Sequence, residues 1–172
     1  MENTLLIDIE IIKNSFPVKN VDEDYIKPSL ILAQEKTLQL TIGTVLYDKM
    51  TGLVSSGEIE LEENKKYKKL LESYIYPVLL WSTMAELVYT VTFKVRNAGT
   101  VQNYGEHINT ATFRDADEIQ NNYLKNADFY IERLIKFLRA NNNDYKEYHE
   151  IRDCADFKDR ANLHTTLFMG DY

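Results

Sequence analysis

Cysteine is almost missing: the 172 residues contain one, Cys154, so no intrachain disulfide can form and a reducing compartment is expected. There are three prolines and six glycines, the latter scattered singly, and no glycine-rich phosphate loop, zincin motif or nucleophile elbow. Positive charge is in deficit. Twenty Lys and Arg face 27 Asp and Glu, for a net charge of −7, whereas gripping a phosphate backbone requires clustered cations. The one basic cluster, Lys65-Lys66-Tyr67-Lys68-Lys69, follows four glutamates (Glu58, Glu60, Glu62, Glu63), the pattern of a solvated helix face of mixed charge. Long apolar runs are lacking too. The nearest, Val78 to Val95, falls short of the ~20 residues of a membrane span and carries Glu86, so a central buried helix is the expectation and a membrane partner is not. No charged-then-apolar leader precedes the first helix, and synthesis in the cytoplasm is expected.

No constellation for chemistry stands out. His107, His149 and His164 fall in segments read as loop or tail, and the Glu-x-x-His pairs of di-iron bundles do not occur. Glu147-x-His149-Glu150 is too closely spaced to share a helix face as a metal site. Cys154 sits in the acidic context RDCAD, which raises a thiol's pKa and blunts its reactivity. Glu86 is expected to pair with Lys94 or Thr90 along its own strip rather than to act as a catalytic acid. No catalytic residue, metal or cofactor is therefore expected, whereas twelve tyrosines, amphipathic and large, favour binding surfaces.

The residues that are present spell helices. The run Asn20 to Met50 has Ile26, Leu30, Ala33, Thr37 and Leu40 at three- and four-residue steps, predicting a core face. Ile31, Leu38, Ile42 and Val45 lie nearly opposite, more apolar surface than the outer helix of a monomer needs, so Ile31, Leu38 and Val45 are candidate oligomer-interface residues. Asp22 or Asp24 can cap the start, Pro28 belongs in a first turn, and Gly43 marks a break or a close contact before the short segment Thr44 to Met50. Upstream, residues 4–12 read either as a strand or as a helical turn capped by Asp8. Downstream, Leu53 to Gly57 reads as a loop. A helix from about Glu62 to Val95 should kink near Pro77, and a second, amphipathic helix should run from about Asp115 to Ala140 with Ile119, Tyr123, Ala127, Tyr130, Leu134 and Leu138 on one stripe and Leu124, Ile131 and Ile135 beside it.

Between those helices, residues 96–111 have no helical period and predict an extended hairpin or long loop, with Tyr104, Glu106 and His107 at its tip as a candidate contact. After Asn141-Asn142-Asn143 the pattern changes to triplets, with Asp144, Glu147, Glu150, Asp153, Asp156 and Asp159 each followed by Tyr145, Tyr148, Ile151, Cys154 or Phe157 where the series continues. A period of three drifts around an α-helix, so the expected architecture is an all-α helical bundle over residues 1–143 and an irregular C-terminal arm over 144–172. Phe157, Leu163, Leu167, Phe168 and Met169 are too dispersed by charge for a core of their own and are candidate anchors on another surface.

An ordered set of these residues resembles the head-to-tail connector proteins (adaptor, head-completion or portal-ring proteins) of tailed bacteriophages, as in phages of gut Bacteroidales. It comprises Val21-Asp22, Ile26, Pro28, Leu30, Ala33-Gln34, Leu38, Ile42-Gly43 and Leu46-Tyr47, then Tyr74-Ile75-x-Pro77, Asn97-x-Gly99 and the Tyr130, Leu134, Leu138 ladder. The resemblance covers roughly the first 140 residues. It implies a structural virion protein, not an enzyme, at the head-to-tail interface: a homo-oligomeric, twelve-fold ring whose partners are itself, the portal protein and the next connector or tail protein, with DNA passing through unbound. Rival readings are another helical virion component such as a tail-completion protein, a small helical enzyme using Glu86 or the tail histidines, and a nucleic-acid binder acting through Lys65 to Lys69.

Overall fold

A computed structural model describes residues 4–96, 99–102 and 113–149. The fold is all-α. It begins with α1 (Ile9–Ser15), where Asp8 accepts a hydrogen bond from the Glu10 amide at 3.1 Å and so settles the open reading of residues 4–12 as a capped helix. Then come α2 (Glu23–Ala33), a π-helical turn (Gln34–Gln39), α3 (Leu40–Ile42) and α4 (Thr44–Ser55). Two short 3-10 turns (Glu58–Glu60 and Glu62–Asn64) lead into α5 (Lys65–Leu70), a second π-helical turn (Leu71–Ile75) and α6 (Tyr76–Thr92). The long α7 (Phe113–Ala140) and the single-turn α8 (Lys146–His149) are the last elements among the described residues. Between α6 and α7 the backbones of β1 (Phe93–Arg96) and β2 (Gly99–Gln102) pair antiparallel, Phe93 opposite Gln102. The hairpin thus starts at Phe93, three residues before the expected 96, as β-forming Phe and Val replace the helical run.

Helix α6 is the centre of the bundle, packed between α2 and α7. Its Val78, Leu79, Met84, Ala85 and Leu87 are buried, as the apolar circumference of this segment predicts. Phe16, just past α1, seals one flank by meeting Trp81 of α6 edge-on at 5.0 Å and Tyr123 of α7 at 6.1 Å.

The π turn at Gln34–Gln39 reassigns the faces of the α2 to α3 rod. At ~100° per residue Leu38 would lie ~80° from Leu30 and Leu40 ~80° to the other side. A π turn holds one residue more than an α turn and sets the phase back by ~100°, bringing Leu38 into line with Leu30 and turning Leu40 outward. Accordingly Leu38 and Ile42 are fully buried with Ile26, Leu30 and Ala33, while Leu40 is 46% exposed. Thr37 is half-buried. Leu38 therefore belongs to the subunit's own core and not to an outer face, and Leu40 is not a core residue.

The second π turn plays a similar part before Pro77. Proline has no N–H to give to the turn before it, and the rod passes through it by widening at Leu71–Ile75 rather than by breaking. Pro28 sits in the second turn of α2, not the first, because that helix starts at Glu23. Helix α4 runs on to Ser55 and buries Leu53, so the expected loop there is confined to Ser56 and Gly57.

Gly43 is a true break. Its φ of 82° and ψ of 162° lie in a region essentially restricted to glycine, and its carbonyl accepts the Tyr47 amide at 3.0 Å to start α4. Gly43→Ala should cost about 1–3 kcal/mol, read as a lower denaturant midpoint with an unchanged slope.

Candidate assembly surface

The π turn leaves apolar side chains on the outside. With Leu38 and Ile42 drawn in, the outward residues of the α2 to α4 stretch are Leu32 at 44% exposure, Leu40, and Val45 at 41%; Ile31 is half-buried at the edge. Of the three candidate interface residues, Val45 thus faces out, Ile31 flanks the face and Leu38 is inside. Leu32 and Leu40 were missed. Apolar spacing alone does not announce the extra π residue, and without it Leu40 falls on the core side.

Gln34 explains how the turn is held. Its side chain is buried, accepting the Leu6 amide at 2.8 Å and donating to the Thr4 carbonyl at 3.1 Å and to the Tyr47 hydroxyl at 3.4 Å. A buried amide must satisfy both ends, so Gln34 ties the N-terminal segment and α4 to the π turn. A glutamine inside an otherwise apolar stripe was the available signal. Beside it Lys36 pairs with Glu86 of α6 at 2.9 Å, and the Thr90 hydroxyl bonds the Glu86 backbone carbonyl, not its carboxylate; the side chain of Lys94, the other expected partner, lies outside the described residues.

A second feature gathers where the C-terminal part of the described chain returns to the bundle. Tyr145 is buried, its hydroxyl donates to the Lys66 carbonyl at 2.8 Å, and its ring meets Tyr67 edge-on at 5.8 Å. The Tyr67 hydroxyl in turn donates to Glu147 Oε1 at 2.7 Å, and α8 packs on α4. Residues 144–149 therefore belong to the helical body, and any separate arm starts later than residue 144. Lys66 and Lys69 lie over the rings of Tyr67 and Phe137, at 5.0 and 5.9 Å, while Lys68 is held by Glu60 and, at 3.9 Å, by Glu72. The basic cluster is a mixed-charge helix face, as read.

Burial pushes the Tyr145 phenol up to about 12, with the nearby Asp144 charge adding to it. Tyr67 is raised by burial first and by its bond to Glu147 second. Both phenols thus hold their protons more tightly folded than unfolded. Their contribution is complete below the ordinary tyrosine value of ~10 and is lost as pH rises through the folded one. Thermal melting should accordingly fall steeply above pH ~10, and Tyr145→Phe should make that fall shallower while costing about 0.5–1.5 kcal/mol at neutral pH through the lost hydrogen bond.

Helix α7 buries Ala116, Ala127, Leu134 and Leu138 but leaves Ile119 and Leu124 more than a third exposed, so its first half is less covered than the stripe predicted. The loop residues Tyr104, Glu106 and His107 and the anchors Phe157, Leu163, Leu167, Phe168 and Met169 lie outside the described residues, as do Cys154 and His164. Among the described residues no group of three or more His, Cys, Asp or Glu side chains is placed to hold a metal, and no helix is long and apolar enough to cross a membrane.

No match to a curated protein or to a solved structure was found. The profile of a family described as "Family of unknown function (DUF6712)" matches residues 38–158, and the chain belongs to that family.

Proposed function

We propose that this chain is a structural virion protein that forms a homo-oligomeric ring at the head-to-tail interface of a tailed bacteriophage, docking on the portal protein and giving the tail its platform. The observation that carries the reading is the stretch from Val21 to Tyr47: its ordered residues resemble the phage connectors, and the same stretch presents Leu32, Leu40 and Val45 outward from the bundle. Large apolar side chains left outside a filled core are best covered by another surface.

A closed ring joins two different patches of each subunit, so these side chains would meet a second face rather than their own copies. The segment carrying Tyr104, Glu106 and His107 is assigned to the portal or the neighbouring subunit. The anchors Phe157, Leu163, Leu167, Phe168 and Met169 are assigned to an adjacent ring component. The net charge of −7 suits a lumen through which DNA slides without sticking.

Native mass spectrometry of the purified chain, alone and with the portal protein encoded beside it, tests the proposal. A discrete high-order oligomer, twelve copies on the proposed symmetry, and its co-assembly with the portal are expected. A chain that stays monomeric at high concentration and ignores the portal would overturn it.

A further inference from the structure

The first described residues lie on the bundle as a strap. Residues 4–7 are neither helix nor strand, yet Leu6 and Ile7 are buried. Among the described residues, the hydrogen bonds that tie this strap to the body both end on one side chain: the Leu6 amide donates to Gln34 Oε1 at 2.8 Å, and Gln34 Nε2 donates to the Thr4 carbonyl at 3.1 Å. Gln34 thus offers the strap an acceptor and a donor, as a neighbouring peptide unit would. It is also the first residue of the π turn, and it reaches the Tyr47 hydroxyl of α4 at 3.4 Å. The pair of Lys36 with Glu86, which also crosses from this turn, uses an ammonium that is 61% exposed and adds little.

A π turn is the rare form of helix, and an α turn is its ready alternative. Should the strap lift, the buried Gln34 amide loses a partner at each end, which removes what favours the wider turn. An α turn in its place advances the residues after it by ~100°, carrying Ile42 to ~120° from Leu30 and bringing Leu40 from the outward side to ~80° from it. Helix α2 is packed on α6 and holds still. Helix α3 is three residues long and ends at Gly43, whose φ of 82° already breaks the rod, so the rotation can stop before α4. We propose that residues 4–7, Gln34 and the π turn form one latch that opens as a unit while the rest of the bundle stays folded. Closed, the latch buries Leu38 and Ile42 and turns Leu40 out. Open, it withdraws Leu40 from the outside. It thereby regulates the candidate assembly surface, a consequence that rests on the proposed ring, whereas the latch itself does not.

Native-state hydrogen exchange on the dilute full chain, followed residue by residue in rising sub-denaturing guanidinium, tests the latch. The Leu6 amide and the amides of residues 38–41 are expected to share one opening, populated at least about ten-fold more than the opening that exposes the amides of α6. Gln34→Met keeps the length of the side chain and removes its hydrogen bonds to the strap. Exchange at Leu6 and at residues 38–41 should quicken alike in this variant, by about ten-fold, with α6 unchanged. In the parent alone, residues 38–41 exchanging in step with α6 would overturn the proposal, whether or not the variant folds. A variant in which Leu6 quickens without residues 38–41, or in which α6 quickens equally, would overturn it too. Native mass spectrometry keeps the ring separate: Gln34→Met should lower the yield of any oligomer that the parent forms. A parent that never assembles would count against the ring, and the exchange result would still decide the latch.

Discussion

Leu38→Ala is expected to destabilise the chain by about 2–5 kcal/mol, and Leu40→Ala by under about 0.5 kcal/mol, although the two leucines are neighbours but one on the same rod. Leu38 is wholly enclosed by the core, and truncating it removes buried methyl groups and leaves a cavity that the rest of the buried cluster fills only in part. Leu40 keeps nearly half its surface in solvent, so there is little burial to lose. Leu38→Glu would go further and prevent folding, since a carboxylate there has neither water nor a partner. Chemical denaturation reads the contrast directly. Similar losses at the two positions would mean that the rod keeps a regular α phase and that the π turn is absent.

The second large effect falls on assembly. Leu32→Glu/Leu40→Glu places two charges on the outside, where they remain hydrated in the monomer but must be stripped of water against a partner. The folded state should be kept, with a melting temperature close to the parent's, while the oligomer is lost. Sedimentation velocity together with a melting curve separates the two. An intact oligomer in this variant would move the interface elsewhere on the bundle, and a chain that no longer folds would show that the two leucines are part of the core.

These predictions hinge on the part of the fold that local pattern did not disclose. Apolar spacing located the helices, the central position of α6 and the glycine break at Gly43, because each follows from residues within a turn or two. The phase of Leu38 against Leu40 did not follow, since it depends on one extra residue accommodated by the contacts of Gln34 with Thr4, Leu6 and Tyr47. Glu86 was expected to find a partner on its own helix. The partner found among the described residues, Lys36, lies 50 positions away, beyond any local rule. Tyr145 belongs to the triplet series that marks the tail, yet it is buried against Tyr67, because an isolated aromatic carries no sign of which surface it will reach. Of the apolar side chains left outside the core, Val45 and the half-buried Ile31 were legible and Leu32 and Leu40 were not.

Electron cryomicroscopy of the chain assembled with its portal protein tests the central claim most directly. The account predicts a closed ring seated on the portal, with Leu32, Leu40 and Val45 of each subunit buried against a different face of the next. A portal decorated by separate monomers, or a ring in which those three side chains face solvent, would contradict it.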